Sequence, residues 1–393
     1  MDHDDNSTSR RDFIRHTALT GAGVLLSTPT SLFAGVAQEP RRTNVASRGY
    51  AARDTSGRLS PWAFERRPVG DDDVLIDIKY SGVCHSDIHQ LRGEWAPQQY
   101  PQVPGHEIAG VVTAVGRNVT RFRVGDQAGV GTMVDSCGVC DSCKRGEEQH
   151  CDRGATLFTY GYPDKTSPTG ITQGGYSSNI VVKERFAIRI PQTMKLQDAA
   201  CLLCAGITTY SPMLRHSVKS GDRVGIAGIG GLGHLAVKLA RARGAEVYAF
   251  TTSPTKVKDI LSFGAKEAIV VDSPDKLTPY NGRLDYMIST IPVDYNVGAY
   301  ASLVKPYGTY TQVGMPAKGT VSINNFAFNR NRVNYNTSLV GGIRQTQALV
   351  DYCAENKIAP AIQVIRANDV NETWEKVVNK AARYRYVIEA STL

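Results

Sequence analysis

Residues 220–253 read SGDRVGIAGIGGLGHLAVKLARARGAEVYAFTTS, and this stretch decides the fold of its part of the chain. The apolar run Val224 to Ala227 predicts a short strand, and Glu246 to Thr251 predicts a second one. Between them, apolar residues recur at the spacing of one helix face: Leu232, Leu235, Ala236 and Leu239. A helix with this face would stop at Gly244. The stretch therefore predicts a strand–helix–strand unit.

A glycine run lies at the turn from the first strand into the helix. Such a turn lets backbone N–H groups approach a pyrophosphate at the start of the helix. A strand before the glycines, a helix after them and a second strand at this distance together form the Rossmann fingerprint, which is far more specific than the glycines alone. We predict a doubly wound parallel sheet whose cofactor-binding turn contains Gly228, Gly230, Gly231, Leu232 and Gly233.

The end of the second strand indicates which dinucleotide is bound. An NAD enzyme normally has an Asp or Glu there, which binds the ribose 2′-hydroxyl. This chain instead has Thr251, Thr252 and Ser253, followed by Lys256. Hydroxyls and an ammonium can bind a 2′-phosphate, and no carboxylate is present to repel it. We therefore predict NADP(H) as the cofactor.

A cluster of cysteines predicts a metal site. Residues 137–151 read CGVCDSCKRGEEQHC, so that Cys137, Cys140, Cys143 and Cys151 could bind one tetrahedral zinc in a closed site. Two disulfides are the alternative, although three cysteines with two-residue gaps would form strained disulfide loops. Eight cysteines in 393 residues are too few for a disulfide scaffold. We favour zinc.

Three further candidate ligands are dispersed: Cys84 in SGVCHSDIH, His106 in VPGHEIAG and Cys204 in AACLLCAGITTY. Taken singly, each cysteine reads as a core residue and the histidine as an ordinary hydrogen-bonded residue. Together with the four-cysteine loop, TQGGYSSNIVV, GIGGLGH and GIRQTQ, however, these segments occur in the order found in zinc-dependent medium-chain alcohol dehydrogenases. The chain resembles this family over residues 48–393, and most closely its cinnamyl alcohol dehydrogenases and bacterial broad-range aldehyde reductases.

The resemblance implies a catalytic zinc on Cys84, His106 and Cys204, with Glu107 approaching the metal from behind. Two thiolates and one imidazole leave a fourth position open, where a carbonyl oxygen can be polarised. The resemblance thus implies two zinc ions per chain, one catalytic and one structural. It also implies hydride transfer between NADP(H) and a primary alcohol or aldehyde, in the form of broad-range aldehyde reduction.

Further roles are implied for residues around this zinc. Asp87 would orient the His106 ring, and Ser86 with His89 would relay a proton to solvent. His85 would lie against the cofactor pyrophosphate.

On the cofactor side, the resemblance places Thr208 against the nicotinamide and Val313 with Gly314 at its carboxamide. Trp95, Thr156 and Leu339 would form the substrate wall. Cinnamyl-specific relatives carry large aromatic residues where Thr156 and Leu339 stand, so strict cinnamyl specificity is not expected.

The predicted architecture is α/β plus β. A GroES-like catalytic domain would occupy residues 38–200 and 338–393, and the Rossmann domain residues 201–337. A composition of 41% hydrophobic and 21% charged residues is that of an ordinary globular protein. The formal charge is +8, but the basic residues are scattered, so nucleic-acid binding is not expected. The resemblance suggests a homodimer.

The N-terminal residues predict export. Arg10 and Arg11 stand in SRRDFI, an uncharged run extends from Thr17 to Gln38, and the small residues 35–37 could precede a cleavage site. The run contains Pro and several polar residues, so a stable membrane span is not expected. We interpret residues 1–37 as a twin-arginine signal, which predicts a periplasmic or exported protein, or a cytoplasmic one if the signal is inactive.

Two cysteines and two other functions remain to be considered. Cys353 shares a helical face with Leu349 and Val350 and is read as a core residue, as is Cys201, with an extra metal ligand as the alternative. A polyol or sugar dehydrogenase of the same superfamily is one alternative function. A non-catalytic zinc- and nucleotide-binding protein is the other, and it predicts a broken relay or metal site, whereas Ser86, His89 and the three ligands are all present.

Overall fold

The computed structural model describes residues 43–393. The predicted leader and its cleavage site lie outside these residues. The strands are β1 (Val45–Ala52), β2 (Leu59–Arg66), β3 (Asp73–Gly82), β4 (Ile108–Val115), β5 (Gln127–Val130), β6 (Met133–Asp135), β7 (Leu157–Phe158), β8 (Asn179–Lys183), β9 (Ile188–Arg189), β10 (Arg223–Ala227), β11 (Glu246–Thr251), β12 (Glu267–Val270), β13 (Leu284–Ser289), β14 (Val304–Gln312), β15 (Asn334–Thr337), β16 (Ile362–Arg366) and β17 (Arg385–Glu389).

The α-helices are α1 (His85–Leu91), α2 (Asp141–Arg145), α3 (Leu196–Cys201), α4 (Ile207–Arg215), α5 (Gly233–Ala242), α6 (Val257–Ser262), α7 (Val297–Ala301), α8 (Asn325–Asn329), α9 (Ile343–Glu355) and α10 (Val370–Val378). A π-helical segment, Leu202–Gly206, joins α3 to α4. In the described part of the chain, no helix is both long enough and apolar enough to cross a membrane.

Six strands form a parallel sheet in the order β12-β11-β10-β13-β14-β15. This order reverses between β10 and β13, and in doubly wound sheets a ligand binds beyond the carboxyl ends of the strands at such a switch point. The predicted doubly wound sheet is therefore confirmed. Its two sequence-predicted strands correspond to β10 and β11, and β11 has the predicted bounds.

Helix α5 packs closely against the strand that precedes it. Leu235, Ala236 and Leu239 are fully buried with Val224 and Ile226 of β10 in one hydrophobic cluster. A Cβ atom on Gly233 would collide with the carbonyl oxygen of Gly228, so only glycine permits this approach. The close packing brings the start of α5 to the carboxyl end of β10.

The second large sheet has seven strands and is mainly antiparallel. Its order is β16-β17-β3-β4-β5-β9, and β8 also pairs with β3. The pairing of β17 with β3 returns the C-terminal part of the chain to strands formed early in the sequence. The strands of this sheet fall within residues 73–189 and 362–389, whereas those of the parallel sheet fall within 223–337. The exact domain boundaries stay a prediction.

Candidate active site and metal centres

The four clustered cysteines lie together in the loop around α2. Their sulfur atoms are all within 4.8 Å of one another, and the Cys137–Cys143 and Cys140–Cys151 pairs are each 3.9 Å apart. Tetrahedral zinc with bonds of about 2.3 Å separates sulfurs by about 3.8 Å, whereas a disulfide bond is about 2.05 Å. All four are free thiols. This donor set fits one zinc ion and not two disulfides.

The three dispersed ligands also meet, although 120 residues separate the first from the last in sequence. Cys84 lies two residues after β3 at the N-cap of α1, His106 precedes β4, and Cys204 lies in the π-helical segment. His106 Nε2 is 3.2 Å from Cys204 Sγ. The ligand atoms of these residues and of Glu107 all lie within 4.8 Å of one another, and all four residues are buried. Such a set can hold a metal ion.

Asp87 holds the histidine of this set. Its Oδ1 lies 3.1 Å from His106 Nδ1, and its Oδ2 accepts hydrogen bonds from Cys84 N at 3.0 Å and Tyr176 Oη at 2.9 Å. Asp87 is fully buried. Burial by itself would lower the pKa of His106, but the charge and hydrogen bond of Asp87, together with those of Cys84, raise that pKa well above its usual value. The ring is thus oriented with Nε2 toward the ligand cluster, which is the geometry that the sequence analysis requires.

Glu107 is paired with an arginine that sequence reasoning missed. Arg385, the first residue of β17, donates from Nη2 to Glu107 Oε1, and both side chains are buried. Glu107 Oε2 has no hydrogen-bond partner among the described residues, and Glu107 is one of the four residues that could hold a metal ion. Burial raises the pKa of Glu107 to about 7 against the opposing charge of Arg385. The partners are 278 residues apart in sequence, so no local pattern indicates the pair.

The predicted relay residues lie on α1. Ser86 and His89 are one helical turn apart, and the rings of His85 and His89 stack at a centroid distance of 4.4 Å. His89 Nδ1 contacts the Glu94 carboxylate, while its Nε2 is buried with no partner in the described part of the chain. Glu94 was also missed by sequence analysis. It fixes the ring so that Nε2 stays available.

The glycine turn provides open space beside a cationic group. A Cβ atom on Gly230 would meet nothing within 4 Å, and Gly228 has a φ of +82°. Arg385 Nη1 would lie 2.8 Å from a Cβ on Gly231. Leu232 is half-buried at the N-cap of α5. The turn is thus lined by backbone and by the same arginine that pairs with Glu107, which suits an anionic pyrophosphate.

The other predicted nicotinamide contacts lie on α4 and directly after β14. Thr208 Oγ1 is buried without a hydrogen-bond partner among the described residues. Val313 N and Gly314 N donate to Ser289 O at 2.9 and 3.0 Å, which fixes this segment beyond β13 and β14. The unpaired buried hydroxyl of Thr208 is a group that a ligand could satisfy.

Several hydroxyls lie together after β11, whereas the ammonium of Lys256 already donates a hydrogen bond to a backbone carbonyl. Ser253 Oγ lies 3.0 Å from Thr255 Oγ1, Thr251 is buried, and Thr252 is exposed. Lys256 Nζ donates to Ile229 O at 2.8 Å. Burial lowers the pKa of Lys256 to about 8.

The three predicted wall residues have different surroundings. Trp95 is 38% exposed, lies 5.3 Å from the His89 ring and donates from Nε1 to Pro316 O at 3.3 Å. Thr156 Oγ1 donates to Glu148 O at 2.7 Å, and Leu339 is 44% exposed. Trp95 thus lies beside the relay, and Thr156 is fixed to the four-cysteine loop.

The remaining cysteines are buried. Cys353 is fully buried with Leu349 and Val350, as expected of a core residue. Cys201 is also fully buried, and burial raises its pKa. It lies outside the two groups of possible metal ligands found in residues 43–393.

Comparison with known protein families identifies the family to which this chain belongs. Residues 70–192 match the alcohol dehydrogenase GroES-like domain, and residues 231–355 match the zinc-binding dehydrogenase domain. The chain is 42% identical over 344 residues to NADP-dependent alcohol dehydrogenase C 1 of Mycolicibacterium smegmatis, covering 88% of this chain and 98% of the relative. This chain is a zinc-dependent medium-chain alcohol dehydrogenase. The predicted GroES-like and Rossmann domain types are therefore confirmed.

Further relatives place this alcohol dehydrogenase in the cinnamyl alcohol dehydrogenase-like subgroup. It is 47% identical over 353 residues to the probable formaldehyde dehydrogenase AdhA of Bacillus subtilis, covering 90% and 99% of the two chains. A cinnamyl alcohol dehydrogenase of Helicobacter pylori, crystallised with NADP(H), has a TM-score of 0.84 and 41% identity over 89% of this chain and 99% of its own. One from Sorghum bicolor has a TM-score of 0.85 and 37% identity, covering 88% and 98%.

Proposed function

We propose that this enzyme uses NADP(H) and zinc to interconvert aldehydes and primary alcohols, chiefly as an aldehyde reductase. The main supporting observation is that Cys84, His106 and Cys204 meet beside α1. Arg385, which pairs with Glu107 next to this set, also lies beside the glycine turn. Zinc bound there would polarise the substrate oxygen, and a bound nicotinamide would exchange a hydride with the carbonyl carbon. The protein's own residues supply orientation and proton movement.

The proton path is assigned to α1. Ser86 would meet the substrate oxygen and pass a proton to or from His89, whose ring is held by Glu94. The Glu94 carboxylate at Nδ1 fixes the ring and leaves Nε2 available to the relay. The Trp95 ring lies 5.3 Å from the His89 ring, beside this path.

The preference for NADP(H) is supported by the residues after β11. The segment Thr251–Ser253 lacks the carboxylate that would bind a free 2′-hydroxyl, and Lys256 lies close behind it. The Helicobacter pylori relative is described with NADP(H), and the Mycolicibacterium relative is named NADP-dependent. We propose the same cofactor here.

We also propose two zinc ions per chain. The four-cysteine set offers a closed tetrahedral site, and the dispersed set offers three ligands and an open position. Glu107 is assigned to the catalytic site as a neighbouring carboxylate that can approach the metal while its other oxygen stays on Arg385. Metal analysis of the purified enzyme should give two zinc ions per chain.

The deciding experiment is a turnover assay on the protein that begins at Gln38. NADPH and NADH oxidation would be followed with benzaldehyde, cinnamaldehyde, a short aliphatic aldehyde and a ketose. Fast NADPH consumption with the aldehydes, abolished by a zinc chelator, is expected. Activity confined to the ketose would instead support a polyol dehydrogenase. No turnover of any of the four substrates, with zinc and nucleotide bound, would support a non-catalytic protein.

For residues 1–37 we propose export of the folded, cofactor-loaded enzyme by the twin-arginine translocase. A periplasmic location is consistent with metal insertion and thiol protection before export, because an oxidising compartment threatens free thiolates. A fusion of residues 1–40 to a reporter that is active only when exported folded should be active, and Arg10→Lys with Arg11→Lys should abolish the signal. Equal reporter activity in both would overturn the proposal.

We further propose that the enzyme is a homodimer, which sedimentation of the purified protein would test.

A further inference from the structure

An arginine from the C-terminal segment reaches the hydroxyl cluster that follows β11. Arg383 Nη2 donates to Thr255 Oγ1 at 2.6 Å, although 128 residues separate the two in sequence. Thr255 Oγ1 in turn lies 3.0 Å from Ser253 Oγ. The Arg383 guanidinium is therefore hydrogen-bonded to Thr255, whose hydroxyl contacts Ser253, one of the hydroxyls that the sequence analysis assigned to the nucleotide.

The Arg383 guanidinium has N–H donors that are not used by Thr255 and that could bind a further group. Its side chain is 33% exposed, and the nearest carboxylate, Asp259, lies 3.9 Å from Nε. Asp259 Oδ2 also accepts a hydrogen bond from Tyr384 Oη at 2.9 Å, so the carboxylate is shared. An arginine that is partly open to solvent and only loosely paired can turn its planar fork to a phosphate.

Lys256, the cation predicted from sequence, is less free. Its ammonium donates to Ile229 O at 2.8 Å, lies 5.5 Å from the centre of the Tyr384 ring, and is buried. To reach a phosphate it would have to leave a buried carbonyl unpaired, which costs free energy. Its compact charge also binds a phosphate through fewer aligned hydrogen bonds than a guanidinium does.

We propose that Arg383 is a phosphate ligand for the 2′-position of the nucleotide, and that it supplies more of the preference for NADP(H) over NAD(H) than Lys256 does. This proposal rests on the proposed cofactor. The same segment serves both ends of the coenzyme site, since Arg385 lies against Gly231 and Arg383 against Thr255. The choice between NADP(H) and NAD(H) therefore depends on Arg383 as well as on the loop after β11, although Arg383 lies 128 residues beyond Thr255 of that loop.

The test compares two nucleotide fragments that differ in the 2′-phosphate. Calorimetric titration of the zinc-loaded full chain with 2′,5′-ADP and with 5′-AMP gives the contribution of that phosphate without turnover. In the wild type we expect tighter binding of 2′,5′-ADP. Arg383→Ala should weaken 2′,5′-ADP binding about 10- to 100-fold, the range of charge-assisted hydrogen bonds, and leave 5′-AMP binding unchanged. Lys256→Ala should weaken it less.

Controls separate charge from folding. Arg366→Ala removes an exposed arginine of β16 and should leave both affinities unchanged. Arg383→Lys keeps the positive charge without the planar guanidinium and should give an intermediate loss of 2′,5′-ADP affinity. This variant replaces Arg383→Ala in the test if the alanine variant does not fold. If the wild type prefers 2′,5′-ADP and Arg383→Ala keeps the full preference, this proposal is wrong while the proposed cofactor stands. If the wild type binds both fragments equally, both proposals are wrong.

Discussion

The two cysteine sets of this enzyme are built in opposite ways. The four-cysteine set comes from the single stretch 137–151 and surrounds one point completely. The dispersed set takes Cys84, His106 and Cys204 from three distant segments, and three such ligands would leave a fourth position of a zinc ion open. A closed site has no free coordination position for a substrate and only stabilises the fold, whereas an open site needs neighbouring residues to hold its ligands in place. Asp87, Glu107 and Arg385 do this for the dispersed set.

Removing a ligand of the open site should have the largest effect. Cys84→Ser or His106→Ala should lower kcat/KM about a thousandfold or more, because metal polarisation of the substrate oxygen contributes several kcal/mol. Nucleotide binding should be retained, and zinc should fall from two ions per chain to one. These changes are measured by NADPH oxidation, calorimetry and metal analysis. Turnover near the wild-type level would contradict the assigned metal role.

A ligand of the closed site should change stability more than catalysis. Cys140→Ser should lower the thermal unfolding midpoint by roughly 5 °C or more, because metal binding contributes directly to folding of this loop. The surviving folded enzyme should keep its kcat within about tenfold, since no atom of this loop is assigned to the reaction. Calorimetry and a turnover assay below the transition test both points. An unchanged unfolding midpoint would show that the loop needs no metal.

Loosening the support of the open site should have an intermediate effect. Asp87→Asn keeps the size of the side chain but removes the charge beside His106 Nδ1, and should lower zinc affinity or turnover about 10- to 100-fold. Tyr176→Phe, which removes one hydrogen bond to the same carboxylate, is the milder matched control. Competition with a chromogenic chelator measures the affinity. Equal effects of the two variants would contradict a role for the charge itself.

The smallest expected effect lies where the closed site meets the substrate wall. Glu148 Oε2 accepts from Ile343 N at 3.0 Å at the start of α9, and its carbonyl oxygen accepts from Thr156. Glu148→Gln should raise KM for a bulky aldehyde a few-fold with little change in kcat, because losing a carboxylate charge at the N-terminus of α9 costs about 1 kcal/mol. Exposed Glu147, beside it, gives the control Glu147→Gln. Equal KM values in all three proteins would show that the loop does not shape the wall.

The candidate site was predictable from sequence wherever a motif carries its own geometry. The glycine turn between β10 and α5 and the four-cysteine loop have their partners within about thirty residues, so spacing is informative. The dispersed ligands were found only through the resemblance, because no spacing relates Cys84 to Cys204. Glu94 lies five residues from His89 and could have been noticed as a carboxylate just beyond a relay helix.

The sequence by itself determined the βαβ unit, the closed metal loop and the absence of a carboxylate after β11, since these depend on local backbone geometry and residue type. Only the tertiary structure decided that β17 pairs with β3, that Arg385 meets Glu107 across 278 residues, and that Arg383 lies on Thr255. It also decided that Lys256 is bonded to Ile229 O. Such contacts form because sheet pairing and burial bring distant segments together, and periodicity along the chain carries no information about them.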